Sequence, residues 1–196
     1  MREIKPFVLF LVGTICFAIP FVLPPGHHPG ESHRTAPIIN LRQMALAMNT
    51  YCLTYDNHFP PAAGGRGVHP GLSWRVTILP FVEEENLYSQ FHLDEPWDSP
   101  HNAKMLPWMP KLYVLPGMSD GPGLTHYRVF VGPDAAFDKP EPDTKVARGR
   151  QLVDFPSGAG KTIFVVEAAD AVPWTKPDEL EYDPKQPIPP LLYRPN

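Results

Sequence analysis

Residues 157–162 read SGAGKT, a sequence typical of phosphate-binding loops. Such a loop needs another glycine five residues before its second glycine, so that successive backbone N–H groups surround the phosphates. Phe155 occupies that position, and a β-branched run follows where the phosphate-binding helix should begin. We therefore interpret this segment as a turn that leads into a strand, and we predict no nucleotide cofactor.

Histidine and carboxylate side chains are numerous, but their spacing does not indicate a metal site. The eight histidines do not form the paired ligands that are typical of zinc sites. Acidic residues cluster at 83–85, 94–98 and 178–183, without the spacing of a calcium-binding loop. Two carboxylates could also act as the acid and base of a glycosidase, but solvated helix faces and caps explain them more simply. We expect neither a metal nor another cofactor.

The candidate nucleophiles are also better interpreted as residues with structural roles. Ser73 and Ser157 lack the G-x-S-x-G context of a hydrolase, and Cys52 belongs to an apolar helical stripe. We therefore predict no catalytic residue and a protein that is not an enzyme. A hydrolase that uses the acidic pairs is the enzymatic alternative.

The four tryptophans suggest a binding surface, because ligand pockets are commonly lined by aromatic residues. Three of them, Trp74, Trp97 and Trp174, lie within the most distinctive phrases of the sequence, and we predict that they form a ligand or partner surface. Trp108 is the fourth. The alternative is that the tryptophans pack on proline rings in the core.

Composition excludes several classes of protein. The 196 residues suffice for one domain with an appended anchor, and 43% of them are hydrophobic, so that a packed core is possible. The net charge of −4 argues against a nucleic-acid-coating protein, and we expect no nucleic-acid partner. Two cysteines are too few for a disulfide scaffold.

The N-terminal residues predict a membrane segment. The seventeen residues from Phe7 to Leu23 carry no charge, and Arg2 and Lys5 precede them. That length is near the minimum for a spanning helix, and the flanking cations favour a cytoplasmic N-terminus with the rest of the chain exported. Membrane lipid is thus a predicted partner. A cleaved signal peptide with secretion of the domain, and a buried core helix, are the alternatives.

The remaining elements predict an α+β fold. Residues 25–37 read as a linker, and the apolar positions Ile38, Leu41, Ala45, Met48, Cys52 and Tyr55 define an amphipathic helix. Strand-like runs follow at 112–115, 127–131 and 162–167. Helices before strands suggest an antiparallel sheet packed on the helix, with long proline-rich loops. The predicted divisions are 1–24 (anchor or signal), 25–37 (linker), 38–183 (domain) and 184–196 (proline-rich tail).

Several phrases together resemble a planctomycete-type bacterial family, the domain of unknown function fifteen-fifty-nine. They are LRQMALAM at 41–48, FPPA at 59–62, LSWRV at 72–76, LPFVE at 79–83, LY at 87–88, FHLDEPWDSPHN at 91–102, VEA at 166–168 and VPWTKP at 172–177. The resemblance extends over roughly residues 38–183. It implies a membrane-anchored, exported, pilin-like or pseudopilin-like domain without a known activity. Members are also labelled as solute-binding proteins or transporters.

The sequence differs from the family pattern at several places, and these differences lead to further expectations. The prepilin signal of the family is absent, and Pro37 and Leu115 stand where members often have cysteines, so that this disulfide is not expected. The chain also stops short of the family's last strand, and the resemblance implies an open sheet edge. A proline-rich tail can protect such an edge, because proline donates no ladder hydrogen bond. Envelope or pilin-like proteins are the expected partners, and a small ligand is the alternative.

Overall fold

A computed structural model of the chain describes residues 29–64, 71–118, 120–140, 148–155 and 158–192. Within these ranges the α-helices are α1 (Pro29–Thr54), α2 (Trp74–Thr77) and α3 (Glu85–Tyr88). The strands are β1 (Ala63–Gly64), β2 (Leu72–Ser73), β3 (Leu124–Arg128), β4 (Phe130–Val131), β5 (Val166–Pro173) and β6 (Leu180–Glu181). Single turns and short runs of 3-10 helix lie at Leu79–Val82, Asn102–Trp108, Lys111–Tyr113, Leu152–Asp154 and Ala159–Lys161.

The strands form three separate pairs within the described residues. β1 pairs with β2 and β3 with β5, both antiparallel, whereas β4 and β6 pair in parallel. The predicted α+β class is confirmed. The single antiparallel sheet of the prediction is replaced by these pairs, and α1 packs against the 3-10 segments Leu79–Val82 and Lys111–Tyr113.

Helix α1 begins earlier than the sequence predicted. It starts at Pro29 and passes through Pro37, so that residues 29–37 are helical and not a linker. Pro29 lies in the first turn, where proline is well tolerated, whereas Pro37 lies in the helix interior and is buried. The proline-rich composition hid this part of the helix. The predicted end is confirmed, because Asp56 and Asn57 adopt left-handed conformations directly after α1.

The buried face of α1 is rotated relative to the predicted stripe. Its most buried residues are Met44, Ala47, Met48 and Cys52. Ile38, Ala45 and Tyr55, which were predicted to be buried, are exposed. Apolar residues cover a broad arc of this helix, and their spacing alone does not identify the centre of that arc. Cys52 is a buried free cysteine, as the packing interpretation requires.

Two strands lie at other positions than the sequence predicted, because neighbouring prolines and turns limit the hydrogen-bonded ladders between strands. The predicted strand at 112–115 begins as a 3-10 turn, and the run at 162–167 mostly precedes β5. The tail covers the free edge of β5: Ala169 N donates to Pro190 O (3.1 Å), and Leu192 N donates to Glu167 O (2.9 Å). The tail therefore covers this edge by pairing with it, and not through the lack of a proline donor that was expected to protect it.

The predicted anchor, Phe7 to Leu23, lies outside the described residues, as does the linker segment 25–28. Among the residues that the structure describes, none of the helices combines the length and the apolar character that crossing a bilayer requires.

Candidate functional site

A buried ion pair lies at the centre of the molecule. Arg75 Nη1 donates to Glu179 Oε1 over 2.9 Å, and the exposed fractions of the two side chains are 0% and 1%. The second carboxylate oxygen of Glu179 accepts from Val129 N (2.9 Å). Arg75 Nε donates to Tyr127 O (2.9 Å), and Arg75 Nη1 also donates to Ser73 Oγ. We call Ser73, Arg75, Tyr113 and Glu179 the polar centre.

The electrostatics of the polar centre follow from its burial. Removal from water raises the pKa of Glu179, and Arg75 and the Val129 amide counteract this by stabilising the carboxylate. The same burial lowers the pKa of Arg75, and the charge of the nearby Glu179 carboxylate counteracts this lowering. Tyr113 donates its hydroxyl to Arg75 O (2.8 Å), and burial raises its pKa. The network is closed to solvent, and it therefore holds α2, β3 and the segment before β6 together instead of receiving a ligand.

Asn102 organises the longest of the distinctive phrases, residues 91–102. Its side chain is buried, its amide nitrogen donates to the carbonyl oxygens of His92 (2.9 Å), Pro96 (3.1 Å) and Glu95 (3.2 Å), and its oxygen accepts from His92 N (3.0 Å). Ser99 Oγ caps the following turn by accepting from Asn102 N (3.0 Å). The phrase is therefore a loop whose backbone is fixed by one amide.

The three tryptophans predicted to form a surface do not share one environment. Trp74 and Trp174 are fully buried, as expected from the alternative in which the tryptophans pack in the core. Trp174 stacks on Tyr113 with a centroid distance of 5.8 Å. Trp97 is half-buried, with Lys176 Nζ 5.9 Å from its ring centroid. Of the three, Trp97 is the one that reaches solvent.

Trp108 is the exposed tryptophan, and it lines an open groove. The groove has a volume of about 890 Å³ and runs between α1, the 3-10 segment Leu79–Val82, α3 and residues 107–112. Trp108 is 68% exposed and Leu46, on α1, is 66% exposed. We call this feature the Trp108 groove. Trp108 lies outside the distinctive phrases, so that the sequence does not single it out.

Charged residues of both signs line the Trp108 groove. Glu83 and Glu84 follow the segment Leu79–Val82, and Lys111 is the lysine among the lining residues. Glu83 adopts a left-handed conformation (φ 65°) at the end of that 3-10 segment. An apolar lining with two glutamates and one lysine suits a segment that carries an apolar anchor and a cation.

A second cavity, which we call the tyrosine cavity, lies at the C-terminal end of α1 and has a volume of about 340 Å³. Tyr51, Tyr55 and Tyr88 line it, and Leu72 and Val76 form its buried base. The Tyr51 and Tyr55 rings lie 4.3 Å apart between centroids, with their planes inclined by 36°. Burial, assisted by the other two tyrosines, raises the pKa of Tyr51 to about 12.

His92, His101 and His126 have local structural partners. His126 is buried, with Nδ1 2.8 Å from Ala168 O and Nε2 2.8 Å from Asp120 Oδ2, at the irregularity between β3 and β5. His92 and His101 stack with a centroid distance of 3.4 Å, and the contact with His92 lowers the pKa of Glu95. In the described part of the chain, no three His, Cys, Asp or Glu side chains converge on a possible metal position.

The segment that resembled a phosphate-binding loop forms a turn where it is described. Gly158 has a φ of 80°, and a single 3-10 turn, Ala159–Lys161, follows it. Thr162 is extended, and β5 begins at Val166. The interpretation as a turn before a strand is confirmed.

The chain matches the family model described as "Protein of unknown function (DUF1559)" over residues 34–149, which is more than half of its length. It belongs to this family. The match includes the polar residues Ser73, Arg75 and Asn102 and all lining residues of the Trp108 groove, but it ends before Glu179. No curated protein and no solved structure matches the chain.

Proposed function

We propose that the chain is a non-enzymatic, membrane-anchored extracytoplasmic protein that acts as a pilin-like interaction module in the envelope or in secretion. The observation that carries this proposal is the Trp108 groove, which is lined by an exposed tryptophan and an exposed leucine. Tryptophan is enriched among the residues that dominate binding energy at protein interfaces. The apolar run from Phe7 to Leu23 supports the anchor.

The occupant that the groove fits is a segment of an envelope protein with one apolar anchor and at least one cation. Trp108 and Leu46 provide the apolar contact, and Glu83 and Glu84 provide the complementary charge. Acidic side chains at the rim of an interface mainly accelerate association and select against acidic partners. Binding of such a segment is therefore expected to weaken as the salt concentration rises.

Site-specific photo-crosslinking in intact cells tests this surface. A photoreactive residue at position 46 is expected to yield a discrete adduct, and the yield is expected to fall when Glu84→Lys is added. Leu53 is the matched control, because it lies on the same helix, is 72% exposed and does not line the groove. Equal adducts from both positions, or an adduct that Glu84→Lys leaves unchanged, would contradict the proposed surface.

Protease accessibility in spheroplasts tests the orientation separately. We expect external protease to digest the domain, because the charge distribution around the apolar run favours its export. A domain that stays protected until the membrane is permeabilised would contradict the extracytoplasmic assignment, whatever the crosslinking result.

The alternative function is an extracytoplasmic solute-binding or transport-associated module. The tyrosine cavity favours it, because aromatic walls over an apolar base are typical of small-molecule sites, and its volume falls within their usual range. Ligand-dependent thermal shift tests this alternative, since a ligand that binds only the folded chain raises the unfolding midpoint.

A further inference from the structure

The tyrosine cavity combines an apolar base with aromatic walls and a polar rim. Leu72 and Val76 form the base and are almost fully buried, whereas Tyr55 is 51% exposed at the wall. Phe81 contacts Tyr51 and Tyr55 edge-on, at centroid distances of 5.7 and 6.3 Å, and supports both rings. The walls are therefore held by packing before any ligand arrives.

The polar groups of the rim are mixed in charge. Asp56 and Arg148 carry opposite charges, and His58 lies beside them with Nδ1 3.1 Å from Asp56 O. Opposite charges at one rim largely cancel in their long-range effect, so that they do not select a strongly charged ligand. Tyr51 keeps its proton well above neutral pH, and its hydroxyl can both donate and accept a hydrogen bond.

We infer that the tyrosine cavity binds an uncharged polyhydroxylated ligand with one apolar face, a sugar of one or two rings. The C–H groups on one face of a pyranose are weakly positive, and the face of a tyrosine ring is negative, so that the two surfaces stack. Sugar hydroxyls at the edge of the ring can exchange hydrogen bonds with tyrosine hydroxyls and with Thr77 at the wall. This inference rests on the solute-binding alternative and is independent of the Trp108 groove.

Calorimetric titration of the full chain with glucose, maltose and cellobiose tests the inference. The chain is kept in a zwitterionic detergent, because detergents with sugar headgroups would compete. We expect at least one sugar to bind with a Kd below about 10 mM. Tyr55→Ala, which removes one ring of the tyrosine pair, is expected to weaken that binding at least tenfold.

Two further variants separate the site from a general loss of folding. Tyr51→Phe keeps the ring and removes one hydroxyl, and we expect it to weaken sugar binding severalfold with the circular dichroism spectrum unchanged. Trp108→Ala, which lies in the Trp108 groove and not in the tyrosine cavity, is expected to leave sugar binding unchanged. Failure of every sugar to bind would overturn the inference, as would sugar binding that Tyr55→Ala does not weaken.

Leucine and phenylalanine, offered as zwitterionic amino acids, form the comparison arm. If they bind and the sugars do not, the ligand class is wrong, while the cavity remains a solute site. If neither sugars nor amino acids bind, the sugar inference is overturned and the solute-binding alternative loses its support. The interaction proposed for the Trp108 groove is decided by the crosslinking experiment, whose outcome does not depend on these titrations.

Discussion

The polar centre and the Trp108 groove use related residue types in opposite ways. In the centre, a charged pair lies with Trp74 and Trp174 close to it in a core without solvent. In the groove, Trp108 and charged residues line an open surface. The comparison shows that tryptophans and charges by themselves do not mark a binding site, and that their exposure decides which of them can contact a partner.

The distinctive phrases divide unequally between the two regions. Ser73, Trp74, Arg75 and Trp174 fall within phrases and belong to the core. The groove wall at residues 107–112 falls outside every phrase. The phrases therefore report mainly on the framework of the fold, and they contain only part of the surface that we propose for binding, although the family match includes all of it.

Glu179→Gln, in the polar centre, is the variant with the largest expected effect on the free energy of unfolding. It leaves the Arg75 charge buried without its counterion, and removal of one partner of a buried pair costs about 3–5 kcal/mol. Urea unfolding measures the loss as a decrease in the free energy of unfolding. Glu181→Gln is the control, because its exposed pair with Lys139 is expected to contribute less than about 1 kcal/mol. Equal effects of the two variants would contradict the role of the polar centre.

Asn102→Ala is expected to have the next largest effect. It removes the amide that binds the backbone of residues 91–102 and leaves three partly buried carbonyl groups and the His92 N–H without that partner. An unpaired group that is fully buried costs about 1–3 kcal/mol, and partial exposure and local relaxation reduce the sum here, so that we expect a loss of about 2–4 kcal/mol. Asn49→Ala, on the exposed face of α1, is the control and should lie within about 0.5 kcal/mol of the parent. A loss as small as that of the control would refute the role of Asn102.

Trp108→Ala is expected to change stability little and binding strongly. Its side chain is mostly exposed, so that the free energy of unfolding should fall by less than about 1 kcal/mol. Trp174→Ala, by contrast, removes a fully buried ring and should cost about 3–5 kcal/mol. In cells, Trp108→Ala should abolish the adduct formed from position 46. A large loss of stability in Trp108→Ala would place this residue in the framework instead.

The smallest expected effect is the alkaline pH dependence that Tyr51 contributes. Burial raises the pKa of Tyr51 from its ordinary value of 10.0 to about 12 in the folded chain. Between pH 10 and about 12 the unfolded chain releases this proton and the folded chain retains it, so that stability decreases as the pH rises. Thermal unfolding from pH 9 to 11.5 should show a smaller decrease in Tyr51→Phe than in the parent. An unchanged slope would show that Tyr51 titrates normally.

Prediction from the sequence succeeded where the signal was local. The α+β class, the end of α1 at Asp56 and Asn57, and the turn before β5 follow from composition, turn residues and β-branched runs. The start of α1 was missed because Pro29 and Pro37 resemble linker residues, although both are accommodated in the helix. The pairing of strands with distant partners, such as β3 with β5, depends on packing that no local pattern contains.

The sites were less predictable for the same reason. Arg75 and Glu179 are more than a hundred residues apart in sequence, and only the fold brings them together. Trp108 is ordinary in sequence, and its exposure results from the arrangement of α1, α3 and residues 107–112 around it. The pair Tyr51 and Tyr55 carried a usable signal, because residues four apart share one face of a helix.

The most direct test of the central claim measures whether the Trp108 groove is covered in the cell. A thiol introduced by Lys111→Cys, at the groove wall, is alkylated in the purified chain and in native envelopes, and mass spectrometry reports the rate at that position. Lys104→Cys is the control, because Lys104 is exposed and does not line the groove. We predict slower alkylation at position 111 in envelopes than in the purified chain, with no change at position 104. Equal rates at position 111 in both preparations would contradict the claim that this groove binds a partner.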